Sequence, residues 1–221
     1  MATIGQPLSV PEAGWRRYDN ADSRIKYIGD NWVHQTEQGT QYWYNNTVAI
    51  GDYDSSMLFK FYGTKIRFIC RSSAGRSDNI QVIIDDSITE YFSNVTATVS
   101  EYRLNYEKTG LELGHHTVRI TNKATNGYGL HWDCMDIDAD GYLVLSKALL
   151  AVTMADGARK EYELAKTEVD SFINWYNTRD AGSGSPYYTF SKPFDLGPFE
   201  SRTDYLVFDK IQDFEIMEFE E

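Results

Sequence analysis

The pattern most suggestive of metal chemistry is three aspartates at alternate positions, Asp136, Asp138 and Asp140, followed by a glycine. A calcium loop needs oxygen ligands at this spacing, a glycine at its sharp turn and a bidentate acid at its twelfth position. The twelfth position here holds Lys147, a cation where a carboxylate is required. A complete helix-loop-helix calcium site is therefore excluded. We interpret the string as a strand over 131–137 that runs into an Asp-Gly turn, and calcium binding by a subset of the aspartates stays open.

This sequence contains few residue patterns that are typical of catalytic sites. Of the four histidines, His34, His115, His116 and His131, two are adjacent, and neighbouring residues on an extended chain point in opposite directions. The sequence contains no Gly-x-Ser-x-Gly elbow, no His-Glu-x-x-His and no phosphate-binding glycine loop. We therefore expect a protein that is not an enzyme and that needs no cofactor.

Aromatic residues grouped with amides and arginines are better candidates, and they indicate binding. The run 42–46 reads Tyr-Trp-Tyr-Asn-Asn. If it is a strand, only alternate side chains are buried, so either Trp43 or the pair Tyr42 and Tyr44 faces solvent. Sugars are held by rings that pack on their C–H faces and by directional polar groups that fix their hydroxyls. This run therefore satisfies the requirements of a sugar site, although protein contacts use the same residues.

Three further segments offer the same combination of residue types. Trp32 lies in a polar turn context, segment 71–79 supplies two arginines with short hydroxyls, and segment 127–132 adds a second pair of rings. The candidate carbohydrate-binding residues are Trp32, Tyr42, Trp43, Tyr44, Arg71, Arg76, Tyr128 and Trp132.

The segments that must position these residues are predicted to be strands, from about residue 15 to residue 145. Segments 57–62, 65–70, 79–84, 101–106 and 116–121 alternate polar and apolar side chains. Short alternating strands at spacings of about 10–15 residues, with no helical period between them, are typical of an antiparallel β-sandwich.

The pattern changes near Ser146. Two strand-like segments flank Asp156-Gly157, a strong hairpin signal. Segment 167–176 then places Val169, Phe172, Ile173 and Tyr176 on one face of a helix. Strands are predicted over 187–191 and 204–209, with 210–219 as a candidate third. The predicted fold is thus mostly β: a sandwich over 1–145, with residues 1–11 as an N-terminal arm, and a small α+β domain with one helix over 146–221.

Composition narrows the classes of function. A net charge of −12 argues against nucleic acid and anionic membranes as partners, because phosphate neutralisation needs a basic face. Residues 1–10 lack the basic region and long apolar run of a secretory signal, so we expect synthesis in a cytoplasm. Cys70 and Cys134 fall in strand-like contexts, where two buried thiols are favoured over a disulfide.

Several short segments of the first domain, taken in order, resemble known sequences. They are residues 14–19, 23–27, 61–66, 82–86, 113–120, 135–138 and 140–141. Together they resemble carbohydrate-binding-like jelly rolls, of galactose-binding type, encoded by phages and prophages of Gram-positive bacteria, and the N-terminal sandwich of some carbohydrate esterases. One departure is Asp85-Asp86, where the usual hairpin has Asp-Gly.

The second domain is similar to a small module appended to phage structural proteins, on residues 155–157, 168–176, 197–199 and 204–211. This resemblance implies a virion-surface protein, of tail, baseplate or capsid, made in the cytoplasm of the bacterial host. Its sandwich would bind bacterial surface carbohydrate, and its second domain would join other virion proteins and form a homo-oligomer. Two alternatives stay open: a decoration or assembly protein without a glycan ligand, and an accessory domain of a carbohydrate esterase system.

Overall fold

The computed structural model describes residues 2–36, 42–192 and 201–220. The chain divides into two compact units, Met1–Val144 and Leu145–Glu221. The described residues are mostly β-strand and contain one α-helix, which confirms the fold class expected from the alternating pattern. Within these ranges no helix combines the length and the apolar character that a membrane span requires.

The first unit is built from short strands. They are β1 (Trp15–Asp19), β2 (Lys26–Ile28), β3 (Trp32–Thr36), β4 (Thr47–Gly51), β5 (Ser56–Gly63), β6 (Ile66–Ser72), β7 (Ile80–Ile84), β8 (Ile88–Phe92), β9 (Ser100–Lys108), β10 (Gly114–Asn122), β11 (Leu130–Trp132), β12 (Cys134–Asp138) and β13 (Tyr142–Leu143).

These strands form three antiparallel sheets. Sheet A has the order β1-β12-β6-β9, sheet B the order β13-β5-β10-β7-β8 with β2 beside β5, and sheet C the order β11-β4-β3. Alternation along each strand sends one set of side chains inward, as in β5, where Phe59 and Phe61 are buried and Lys60 is only half-buried. Inward residues of sheets A and B, such as Phe68 and Ile120, share one apolar cluster, which makes this unit a β-sandwich.

The prediction of a single strand over 131–137 is wrong in one respect. The structure has two strands there, separated at Asp133. β11 pairs with β4 in sheet C, whereas β12 pairs with β1 and β6 in sheet A. Asp133, which is fully buried, is the residue at which the chain changes sheets. The sequence pattern did not reveal the division because apolar residues continue on both sides of it.

The run 42–46 is a bend followed by a 3₁₀ turn (Tyr44–Asn46), and not a strand. Asn45 and Asn46 have φ values of 51° and 63°. Asparagine tolerates this left-handed region better than most residues, which explains two successive amides at this point.

The described part of the N-terminal arm pairs with β9. Gly5 N–H donates to the carbonyl of Leu104, and Leu8 N–H to that of Tyr102. Leu8 packs beside Leu104 and Cys134 on the side of sheet A that faces away from sheet B. Both cysteines are free and buried, and Cys70 lies on the opposite side of that sheet, inside the sandwich. Their side chains therefore point to opposite faces of the sheet, and a disulfide cannot form in that arrangement.

The second unit contains β14 (Ser146–Met154), β15 (Arg159–Ala165), α1 (Lys166–Asp180), β16 (Tyr187–Lys192), β17 (Arg202–Val207) and β18 (Ile211–Glu220). β14 lies between β15 and β18, and β16 pairs with β17.

The predicted helical stripe is confirmed in this unit. Val169 and Phe172 are fully buried, with Ile173 and Tyr176 packed against the same cluster. The helix runs four residues beyond the predicted end, as far as Asp180, and Gly182 follows with φ of +87°. Residues 197–199, part of the resemblance noted above, lie outside the described residues.

Candidate functional site

Several loops meet at one end of the sandwich, and we call residues 42–46, 71–79, 93–101 and 126–133 the loop end. Backbone hydrogen bonds join three of these segments. Ser73 N–H donates to the Asn94 carbonyl at 3.1 Å, and Asn94 N–H donates to the Ser77 carbonyl at 2.9 Å. Ser77 N–H in turn donates to the Gly129 carbonyl at 3.1 Å. Loops linked through their main chains hold side chains in fixed positions, as a binding site requires.

Arg71 contacts two other segments of the loop end. Its Nε lies 3.0 Å from both carboxylate oxygens of Glu101 on β9. Its guanidinium carbon lies 5.1 Å from the centroid of the Tyr42 ring, within the range of a cation–π contact. The Tyr42 side chain remains 44% exposed. The structure therefore brings two predicted site residues, Tyr42 and Arg71, into contact.

Arg76 lies in the same loop and close to the same charges. Its Nη1 donates to the carbonyl of Gly75 at 2.9 Å. Burial lowers the pKa of Arg76, and the positive charge of Arg71 lowers it further, while Glu101 acts in the opposite direction. No carboxylate among the described residues forms an ion pair with Arg76, and its buried Nε has no hydrogen-bond partner among them.

Tyr128 forms the other exposed ring of the loop end, with 49% of its surface accessible. A Cβ placed on Gly75 would lie 3.6 Å from the ring, so the tyrosine packs over a stretch of backbone without a side chain. Asn126 Oδ1 accepts the backbone N–H of Tyr128 at 3.0 Å and fixes this turn.

His131, Glu101 and Asn94 also belong to the loop end, although sequence reasoning did not place them there. The carbonyl of His131 accepts a hydrogen bond from Asn94 Nδ2 at 2.9 Å. Burial, together with the positive charges of Arg76 and Arg71, lowers the pKa of His131 to about 3. Glu101 faces Arg71 across a shift in register between β6 and β9. No sequence signal specifies such a shift, whereas His131 was visible as one of only four histidines.

Two predicted binding rings are part of the interior. Trp132 has no exposed surface and packs against Phe68, with 5.0 Å between ring centroids. Trp43 is 5% exposed. A ring without accessible faces cannot stack on a sugar, so we assign both residues to the support of the loop end. Of the alternatives for the run 42–46, the exposed ring is Tyr42, and Trp43 is the buried one.

The remaining two aromatic candidates have structural partners. The Trp32 ring packs against the sandwich core over Gly51, and its Nε1 donates to the Ile28 carbonyl at 3.1 Å. Tyr44 packs against the cluster that contains Cys134, and its N–H donates to Asp133. The structure thus brings together Tyr42, Arg71, Arg76 and Tyr128 as accessible groups.

The calcium candidates are engaged by protein donors. Asp136 is fully buried between Arg17 and Arg67, whose Nε atoms donate to it at 2.7 and 2.9 Å. Asp138 accepts the backbone N–H groups of residues 64 and 65 and the hydroxyl of Thr64. Asp140 is exposed. Among the described residues, no group of three or more acidic, histidine or cysteine side chains is arranged to hold a metal ion.

A second group of exposed rings lies on the outer face of sheet B. Tyr142, Tyr62 and His115 are direct neighbours across β13, β5 and β10. The rings of Tyr62 and Tyr142 lie 5.3 Å apart, and their planes differ by 12°. This group contains two stacked tyrosines, and it is a useful comparison for the loop end.

Comparisons with known proteins add little to this geometry. No protein-family profile matches the chain. The chain is 30% identical over 146 residues to an uncharacterized protein of Clostridium acetobutylicum, a match that covers 64% of this chain and 36% of the relative's length. Among solved structures it is similar to a family two carbohydrate esterase from Cellvibrio japonicus, with 15% identity, a TM-score of 0.40, and coverage of 56% of this chain and 33% of that one. At that TM-score the likeness supports no inference about activity.

Proposed function

We propose that the first unit binds carbohydrate at the loop end and does not catalyse a reaction on it. The observation that carries this proposal is the pair formed by Tyr42 and Arg71. The tyrosine offers an accessible ring next to a guanidinium whose direction Glu101 fixes. A ring for the C–H face of a sugar and fixed donors for its hydroxyls are the two components of a carbohydrate site.

The chemistry of the loop end favours binding over catalysis. Its histidine, His131, is buried, and its pKa of about 3 keeps it uncharged at neutral pH. General acid–base catalysis works best when the pKa lies near the operating pH, so this imidazole is a poor proton donor or acceptor. Asp133, the loop-end acid whose pKa burial raises to about 8, has no exposed surface from which to reach a ligand.

For the biological setting we propose a phage particle that is assembled in the bacterial cytoplasm. The first unit would be displayed on the virion and bind glycans of the host surface, and the second would attach to other virion proteins as part of a homo-oligomer. The support is the resemblance of segments in both units to phage-encoded proteins. Immunogold labelling of purified particles is the direct test, and particles that carry no label would contradict this setting.

Glycan binding is tested with an array of bacterial surface polysaccharides, followed by calorimetry on the best ligand. Tyr42→Ala should weaken binding by about tenfold, since one stacked ring contributes on the order of 1–1.5 kcal/mol. Tyr142→Ala is the matched control, because it removes a tyrosine of similar exposure, 40% against 44%, from the outer face of sheet B.

Three outcomes are distinguishable in this experiment. Loss of affinity in Tyr42→Ala with retention in Tyr142→Ala supports a site at the loop end. The reverse pattern moves the site to the rings of sheet B. Folded protein that binds no glycan at high concentration, as judged on the whole array, contradicts the proposed function.

A further inference from the structure

The loop end is less acidic than the chain as a whole, which has a net charge of −12. Arg71 and Arg76 contribute two cations, and Glu101 contributes one anion. His131, the remaining titratable group acted on by both arginines, is uncharged because its pKa is about 3. These four side chains therefore sum to one positive charge, and the exposed Asp78 of the same loop brings the total to zero.

Arg76 forms no ion pair with a carboxylate among the described residues. Burial disfavours its charged form, and the nearby guanidinium of Arg71 adds like-charge repulsion. Its hydrogen bond to the neighbouring Gly75 carbonyl brings no opposite charge. Among the described residues its Nε has no acceptor. An anion placed beside the guanidinium of Arg76 would favour its charged form and so offset both unfavourable effects.

The position of Arg76 is fixed before any ligand arrives. The adjacent residue Ser77 is fully buried, its N–H donates to Gly129, and its hydroxyl donates to Asn122 at 2.7 Å. Arg71 is held by Glu101 and by the Tyr42 ring. A fixed pair of guanidinium groups loses little entropy on binding, and it suits planar or tetrahedral oxyanions.

Two further buried polar atoms belong to the same loop end. Nδ1 of His131, a residue 9% exposed, and Nε1 of Trp43 are shielded from solvent and have no hydrogen-bond partner among the described residues. Buried polar atoms of native proteins are nearly always paired with protein, water or ligand. The same end also holds buried acceptors without a hydrogen bond, Oδ1 of Asn94 and Oε2 of Glu101, so its unmet hydrogen-bonding capacity is of both kinds, and Arg76 is the group that favours an anion.

We infer that the loop end selects acidic saccharides, with a carboxylate or phosphate of the ligand between Arg71 and Arg76 and a sugar ring on Tyr42. This inference rests on the proposed carbohydrate-binding function and specifies its ligand class. A neutral sugar would leave the guanidinium of Arg76 uncompensated, whereas a uronic acid or a sugar phosphate would pair with it. Both ligand classes share the oxyanion that the two arginines recognise.

The test compares three ligands by calorimetry with the full chain: oligogalacturonate, the corresponding neutral oligogalactoside, and a glycerol-phosphate teichoic acid fragment. We expect at least one acidic ligand to bind at least about tenfold more tightly than the neutral one, with affinity that falls as salt rises. The two acidic arms distinguish a carboxylate from a phosphate.

Substitutions then connect the selectivity to Arg76. Arg76→Gln should reduce affinity for the acidic ligand by at least about tenfold and remove most of the preference for it over the neutral one. Arg119→Gln is the matched control, since it removes an arginine from β10 in sheet B, away from the loop end. Thermal unfolding of each variant verifies that it is folded.

The outcomes separate this inference from the proposed function. Equal affinity for acidic and neutral ligands, or unchanged selectivity in folded Arg76→Gln, overturns the inference and leaves carbohydrate binding intact. Absence of binding to all three ligands and to the polysaccharide array overturns both.

Discussion

The side chain of Asp133 accepts a hydrogen bond from the backbone N–H of Tyr44 at 2.8 Å. Asp133 is the residue at which the chain passes from sheet C to sheet A, and Tyr44 begins the turn that follows Tyr42. This hydrogen bond therefore holds the turn next to Tyr42 against the residue at which the chain changes sheets. Burial raises the pKa of Asp133 to about 8, so the carboxyl that makes the bond is mostly protonated at neutral pH.

The first prediction concerns the pH dependence of stability. Between pH 3.8 and about 8 the folded state keeps a proton on Asp133 that the unfolded chain has lost, so stability falls as pH rises. His131 acts in the opposite direction between about pH 3 and 6.5, because the unfolded chain is protonated there and the buried imidazole is not. The two effects offset each other up to pH 6.5. Above it, we expect a loss of about 2 kcal/mol by pH 8.

Asp133→Asn should remove the part of this loss that is due to Asp133, because the amide resembles the protonated carboxyl and does not ionise, and should leave the part due to the raised pKa of His116. Urea unfolding at intervals between pH 5 and 9 measures the free energy of unfolding for both proteins. Asp140→Asn, which changes an exposed acid, should follow the wild type. Equal pH slopes for wild type and Asp133→Asn above pH 6.5 would show that Asp133 titrates normally.

The second prediction concerns Gly63, which lies directly opposite Gly114 in the pairing of β5 with β10. A Cβ on Gly63 would lie 2.5 Å from Oδ2 of Asp138, the carboxylate that accepts three hydrogen bonds from residues 64 and 65. Gly63→Ala should therefore destabilise the first unit by about 1–3 kcal/mol, by displacing that carboxylate.

Gly114→Ala is the control for this change. No atom of the described residues lies within 4 Å of a Cβ at Gly114, and its φ is not positive. The two variants lose the same backbone freedom in adjacent strands, so a difference in their urea midpoints reports the contact with Asp138. Equal midpoints would mean that the carboxylate moves away at no cost.

The parts of the structure that the sequence predicted are those encoded by local periodicity. Alternation in β5 and β6 predicted the sandwich, and the spacing of Val169 and Phe172 predicted α1. The Asp156-Gly157 turn was predicted from its residues, and Gly157 has the expected positive φ of 83°. Such patterns depend on neighbouring residues alone and need no knowledge of which strands pair.

The parts that were not predicted depend on pairing between distant strands. Glu101 meets Arg71 through a shift in register, and Asp133 divides a segment whose apolar character continues on both sides. Burial of Trp132 and Trp43 was likewise undetermined, because ring-rich segments look alike whether they face solvent or the core. Local sequence segments therefore gave a pool of site residues, and the fold reduced it to four accessible ones.

The third prediction concerns the histidine–aspartate pair at the hairpin between β7 and β8. His116 Nδ1 lies 2.6 Å from Oδ2 of Asp85, and its Nε2 lies 2.8 Å from the Glu112 carbonyl. Burial lowers the pKa of His116, but these hydrogen bonds raise it more, and the net direction is upward. The pair therefore stabilises the fold below pH 6.5, and this stabilisation is lost as pH rises through the raised pKa.

Asp85→Asn should lower the pKa of His116 and remove this pH dependence. NMR titration of the imidazole C–H signals measures the pKa directly. Asp86→Asn is the matched control, since residues 85 and 86 both have φ of 53° and asparagine tolerates that conformation. A His116 pKa that stays the same in Asp85→Asn would assign the upward shift to the Glu112 carbonyl.

The last prediction concerns Asp136, whose carboxylate lies between the buried guanidinium groups of Arg17 and Arg67. Asp136→Asn keeps the shape of the side chain but leaves two cations without their shared anion, and removal of one partner from a buried ion pair costs about 3–5 kcal/mol. We expect a loss of that size in urea unfolding. Asp54→Asn, which breaks the exposed pair with Lys123, should cost less than about 1 kcal/mol. A loss below 1 kcal/mol in Asp136→Asn would mean that other carboxylates near Arg67, such as Glu12, compensate its charge.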